Sequence, residues 1–196
     1  MRLRKTVPCS ILVAATLFAT AAAAQNAQPR REPDVPFVPT TEEAVAAMLK
    51  LADVKKTDIV YDLGCGDGRI VIAAAKTYGA RAVGIDINPV RLAEAAENLK
   101  KVGPDVAKLV RFEENDLFQA DIHEATVVTL FLLSSVNLKL RPKLLADLKP
   151  GTRVVSNTFD MGDWKPEKEF IVGNPDEESY LSHKLYFWIV PSPAGK

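Results

Sequence analysis

Cysteine and histidine are scarce in this chain of 196 residues, with two of each. Two cysteines exclude a disulfide-dense scaffold and a four-cysteine zinc site. His123 and His183 each lack a second His or Cys nearby, so no metal site is expected. An excess of charge of one sign is also missing, since 25 Lys+Arg stand against 25 Asp+Glu. That balance disfavours a broad basic face of the kind that grips nucleic acid. The apolar stretch near the N-terminus covers only residues 11–19, short of the roughly 20 residues a spanning helix needs. What the chain has in quantity is apolar side chain, 47% of its residues, too much for a disordered polypeptide and enough for one domain with a real core.

The N-terminus reads as an export signal rather than as part of that core. Arg2, Arg4 and Lys5 form a basic start, the apolar stretch follows, and Ala22-Ala23-Ala24 offers a small-residue cleavage site before Gln25. Residues 1–24 are therefore expected to be a signal peptide, sending the domain to the periplasm. Left uncleaved, they would anchor it to the inner membrane facing the periplasm, giving membrane proximity through the N-terminal segment. Removing them leaves 22 basic against 25 acidic residues, a net charge of −3, and a single cysteine, Cys65. Residues 25–36, polar and proline-containing, read as a flexible linker. The remaining residues 37–196 form one domain, expected to be monomeric.

Within that domain, helical and strand patterns alternate. Helices are expected over residues 42–53, 68–78, 89–101 and 137–148, with Thr40 or Thr41 capping the first and Pro89 opening the third. Strands are expected over 58–63, 82–86, 108–113, 126–133 and 152–158, with a closing antiparallel pair near 169–172 and 182–190. Such alternation implies right-handed crossovers and a mostly parallel sheet covered on both faces. Ligands of these sheets bind at the carboxyl ends of the strands, near the switch in strand order.

The strongest local signal lies at one such end, in Asp62-Leu-Gly64-Cys-Gly66-Asp-Gly68-Arg69. Alternating glycines between a strand and a helix let a ligand lie against bare backbone. A dinucleotide loop would space its third glycine one residue later, where Arg69 stands, and Asp62 would repel a pyrophosphate. The same carboxylate suits an amino-acid ammonium, which favours S-adenosylmethionine over a nicotinamide cofactor. Asp86, 24 residues further on at the end of the second strand, can take a pair of ribose hydroxyls, and Ile87 can pack on a purine. Asn115, Asp116 and Leu117 follow the third strand, where Asp116 and the Leu117 amide can read an adenine edge.

At these spacings the glycine motif, Gly84-Ile-Asp86 and Asn115-Asp116-Leu117 resemble the class I S-adenosylmethionine-dependent methyltransferases. The resemblance implies a Rossmann-like α/β sandwich with a seven-stranded sheet in the order 3-2-1-4-5-7-6 and strand 7 antiparallel. Gly64, Cys65, Gly66 and Gly68 would belong to its cofactor loop. Phe37-Val-Pro-Thr40 followed by Asp62 to Ala75 further resembles a group of small membrane-associated protein-lysine methyltransferases. In that comparison Val38 and Thr40 belong to a lid over the cofactor.

Methyl transfer from a sulfonium is an in-line displacement that chiefly needs alignment and dryness. The fourth strand ends Phe131-Leu132-Leu133-Ser134, without the Asn/Asp-Pro-Pro-Tyr/Phe of enzymes that methylate nucleobase amino groups. A protein, in particular its lysine, or a small molecule is the expected acceptor, with no nucleic acid. After the fifth strand, Asp160 or Asp163 could receive a cationic acceptor, and Phe159 or Trp164 could wall the methyl path through cation–π contact. The competing reading is a non-catalytic module that keeps the fold and binds a nucleoside or a partner, motivated by export away from the compartment where the cofactor is made.

Overall fold

Four strands whose side chains are mostly buried on both sides, with a fifth beside them, form the centre of the domain. β1 (Ile59–Leu63) is buried throughout, as are β4 (Val127–Leu130) and nearly all of β2 (Arg81–Asp86) and β5 (Arg153–Asn157). β3 (Val110–Glu114) lies at one edge and is half-exposed. These five pair in parallel, and β7 (His183–Ile189) returns antiparallel between β5 and the exposed edge strand β6 (Lys168–Val172). The computed structural model describes residues 32–173 and 183–192. Its sheet order is β3-β2-β1-β4-β5-β7-β6, the order and the antiparallel seventh strand implied by the methyltransferase resemblance.

The period-2 alternation of the strands feeds two separate cores. On one face Val60, Ala82, Val127, Val155 and Phe187 pack with α1 (Glu42–Leu51) and α2 (Arg69–Tyr78). On the other face Tyr61, Leu63, Ile85, Leu130, Val154 and Trp188 pack with Val136, Leu140 and Leu144 of α5 (Ser134–Asp147). Asp62 shares the parity of Val60, so a carboxyl stands at the carboxyl end of an otherwise apolar row. α3 (Pro89–Lys100) opens on Pro89 with Asn88 as cap, and Thr41 rather than Thr40 caps α1.

Three differences from the sequence expectation have a clear physical reason. The fourth strand stops at Leu130 because Leu132 leaves the ladder to cover Gly64, where an added Cβ would lie 2.9 Å from Leu132 Cδ2. Apolar character there serves the cavity wall and not the sheet. α5 begins at Ser134, three residues early, and continues through Pro142. A short helix α4 (Pro104–Ala107), absent from the expected helices, starts on Pro104, since proline suits a first helical turn. At the opposite, amino end of the sheet, Arg153 pairs with buried Asp58, which also accepts from Thr126 Oγ1 at 2.7 Å and the Lys55 amide at 2.6 Å. No helix among the described residues is long and apolar enough to cross a membrane. The expected signal peptide, residues 1–24, and most of the expected linker lie outside the described residues.

Candidate functional site: a cavity at the strand switch point

β1 is flanked by β2 on one side and β4 on the other, so the chain departs in opposite directions at its carboxyl end. A cavity of about 250 Å³ opens there. After Leu63 the amides of Gly64 and Cys65 both donate to the Ile85 carbonyl, at 2.8 and 3.0 Å. The Gly66 amide then donates to Asp86 Oδ2 at 2.8 Å, and the Asn88 amide to Oδ1 at 2.8 Å. Two backbone donors thus fix the Asp86 carboxylate beside the glycine loop. Gly66 has φ +54°, and a Cβ there would fall 2.3 Å from the Phe37 ring, so only glycine fits.

Asp62 is buried and accepts from Thr129 Oγ1 at 2.8 Å. Burial pushes its carboxyl up to about 7; the Thr129 bond opposes this, and the charges of Asp86 and Asp67 reinforce it. Cys65 is buried as well, and loss of water, with the Asp62 and Asp86 charges, drives its thiol far above the ordinary range. It is a small inert loop residue, not a nucleophile.

Residues 33–40 lie across the cavity as a strap. Thr40 is buried and its carbonyl accepts from Arg69 Nη1 at 2.6 Å. The same guanidinium grips Asp67 twice, Nε to Oδ1 at 2.9 Å and Nη2 to Oδ2 at 2.6 Å. Burial would raise the Asp67 carboxyl, but the Arg69 bonds and charge outweigh it and hold it below its usual value. Phe37 covers Gly66 from one side, and the Arg91 guanidinium lies 4.6 Å above its ring. Val38, half-exposed, lines the cavity from the strap. Arg69, in the position that argued against a dinucleotide, proves to be the staple between strap and glycine loop. The role of Arg91 has no local sequence signal at all.

Of the residues expected to hold a cofactor, Val38, Thr40, Asp62, Gly64, Cys65, Asp86, Ile87, Asn115, Asp116 and Leu117 line this cavity. Gly66 and Gly68 do not line it and act through the loop, Gly68 packing against Phe112 and Ala95. Asp116 Oδ1 accepts from the Phe118 amide at 2.9 Å, which fixes the turn after β3.

The residues expected at the acceptor side, Phe159, Asp160, Asp163 and Trp164, do not line this cavity. Asp160 Oδ1 accepts from the Gly162 amide at 3.1 Å within its own turn. Asp163, its side chain 87% exposed, is paired with Arg141, whose bond and charge keep its carboxyl low. Trp164 packs at 5.8 Å on Trp188 of β7 and accepts the Trp188 indole N–H at 2.7 Å through its carbonyl. The wall on this side is instead Phe131, Leu132 and Val136.

The donor set fits S-adenosylmethionine. A buried carboxyl meets the end of the glycine loop, a second carboxylate ends β2, apolar Ile87 and Leu117 stand beside it, and the glycines leave a cradle that any Cβ would fill. When bound, that cofactor supplies a methyl group on a sulfonium, open to in-line attack. The chain supplies a fixed cradle, a strap that excludes water and an apolar wall on the attacking side. Among the described residues no cluster could hold a metal ion.

Known proteins agree with this geometry. The ANTKMT methyltransferase domain matches residues 62–168. A protein-lysine N-methyltransferase of Saccharolobus islandicus is 47% identical over 159 residues, 81% of this chain and 95% of that protein. The adenine nucleotide translocase lysine N-methyltransferase of Mus musculus is 34% identical over 67% of this chain, which spans 56% of that relative's length. Among solved structures, an RNA methyltransferase from Salinibacter ruber in complex with S-adenosyl-L-homocysteine superposes with a TM-score of 0.73 at 53% identity, covering 81% of this chain and 97% of that one. A class I S-adenosylmethionine-dependent methyltransferase by cavity and by likeness, the chain belongs to the ANTKMT methyltransferase domain family.

Proposed function

We propose that this enzyme is an exported protein-lysine N-methyltransferase. The observation that carries the reading is the 47% identity to a protein-lysine N-methyltransferase over nearly all of that protein's length. The chemistry of the site agrees. Asp62 takes the cofactor's ammonium, Asp86 its ribose hydroxyls, and Asp116 and Leu117 its adenine edge. A lysine must lose its proton before it can attack, and the apolar wall of Phe131, Leu132 and Val136 favours the neutral amine by withholding water. The S. ruber structure carries the name of an RNA methyltransferase, so RNA is the reading to test against. Against RNA stand the net charge of −3 without residues 1–24 and an apolar wall in place of a base-clamping motif after β4.

The deciding experiment offers methyl-labelled S-adenosylmethionine and the purified enzyme to two acceptors, a solubilised envelope-protein fraction and total RNA. Label is expected in protein and, after acid hydrolysis, in methylated lysine. Label in RNA alone would remove the reading. Export by residues 1–24 is part of the proposal, and so is a monomeric enzyme. Fractionation with mass spectrometry should find the enzyme outside the cytoplasm with Gln25 as its first residue, and an intact Met1 in the cytosol would refute export.

A further inference from the structure

The chain leaves β5 through a turn that departs from ordinary backbone geometry. Thr158, a β-branched residue, sits at φ +68°, in the left-handed region such residues avoid. The Phe159 amide bonds back to the Asn157 carbonyl at 2.8 Å, closing a tight γ-turn around Thr158. On the other side the Thr158 amide donates to the Lys184 carbonyl at 2.7 Å.

Asn137, fully buried on α5, holds this turn. Its Nδ2 lies within hydrogen-bond reach of the Phe159 carbonyl at 3.1 Å, the Asp160 carbonyl at 3.2 Å and Ser156 Oγ at 3.2 Å. Its Oδ1 is buried and finds no partner among the described residues. One turn of helix later, Arg141 Nη1 donates to the Met161 carbonyl at 2.8 Å. A backbone outlier and an orphaned buried acceptor therefore meet within one small region, and such local costs persist where surrounding structure enforces them for function.

The turn serves to place one ring. Phe159 stacks on Phe131 with centroids 6.2 Å apart and planes 26° off parallel. Phe131 lines the cavity, so the pair carries its apolar wall out to the carboxyl end of β5. We infer that the Phe131–Phe159 pair is the acceptor channel wall, along which a lysine side chain reaches the methyl group, and that Thr158 and Asn137 are its positioning residues. This rests on the lysine reading above. Aromatic faces attract an ammonium yet tolerate the neutral amine after its proton is lost, which suits a group that arrives charged and reacts uncharged.

The test follows the labelled protein band of the envelope fraction as that fraction is titrated. Phe159→Leu keeps an apolar side chain but loses the ring face, and should raise the half-saturating acceptor concentration about fivefold while cofactor affinity stays as in the wild type. Phe159→Tyr should restore it. Thr158→Gly suits the positive φ, so its melting temperature should match or exceed the wild type, yet acceptor saturation should weaken because the ring is no longer held. A purely structural turn would move stability and not acceptor saturation. If wild-type enzyme labels lysine and both Phe159→Leu and Thr158→Gly saturate normally, the inference falls and the lysine reading stands. If wild-type enzyme labels only RNA, both fall.

Discussion

Asp62 sets stability against binding at a single residue. Its carboxyl is raised from 3.8 to about 7, chiefly by burial. The folded protein then holds a proton that the unfolded chain gives up, so as pH rises from about 4 to 7 this group weakens the ligand-free fold. Asp62→Asn removes the conflict: its melting temperature should exceed the wild type at pH 8 and converge with it near pH 4. The same change should weaken cofactor binding by about 1.5–3 kcal/mol, since a charge-assisted bond to the ammonium is lost. Wild-type affinity measured by calorimetry should rise with pH through about 7, as the carboxylate forms. Asp86→Ala loses both the ribose acceptor and the anchor of the Gly66 and Asn88 amides. A loss of about 1–3 kcal/mol in cofactor affinity is expected, and an unchanged value would take Asp86 out of the site. These two acids were legible in the sequence because each stands at a fixed distance from glycines that only a cradle requires. Asp160, Asp163 and Trp164 follow the fifth strand at the right edge, but no spacing fixes where they turn, and their partners, Gly162, Arg141 and Trp188, follow from tertiary placement.

At the scale of elements, the strap over residues 33–40 is tied by polar and cation–π contacts more than by burial. Phe37 is 42% exposed, and its hold is the contact with Gly66 and the Arg91 guanidinium. A cation–π contact at such a site contributes about 0.5–1 kcal/mol. Phe37→Ala should therefore leave the melting temperature nearly unchanged, weaken cofactor affinity about two- to fivefold and speed cofactor release in stopped-flow measurements. Equal release rates would show that the strap does not cover the cofactor. The parallel strands and their helices were readable because β1, β2 and β5 are apolar runs bounded by glycine or proline. The end of β4 was not, since Phe131, Leu132 and Leu133 look like strand but build cavity wall and the start of α5. Apolar sequence reports burial, and burial under a ligand reads the same as burial in a sheet.

For the whole molecule, the balance of 25 basic and 25 acidic residues hides a division of labour. Three of the positive charges lie in residues 1–24, and among the described residues the lining of the cavity begins at Pro33. The proposed cleavage after Ala24 would keep the whole strap of residues 33–40. Deletion through Pro36 takes away Pro33, Asp34, Val35 and Pro36, all of which line the cavity, and leaves Phe37 as a chain terminus. The two truncations should separate. Enzyme lacking residues 1–24 is expected to melt with the full-length chain and to bind S-adenosylmethionine equally well by calorimetry. Enzyme lacking residues 1–36 should still fold, because among the described residues both cores are built almost entirely from later ones, but should bind the cofactor more weakly than Phe37→Ala does. Equal binding by both would show that the strap's first half contributes nothing. Weakened binding by the shorter truncation would make residues 1–24 part of the working enzyme and count against their removal on export.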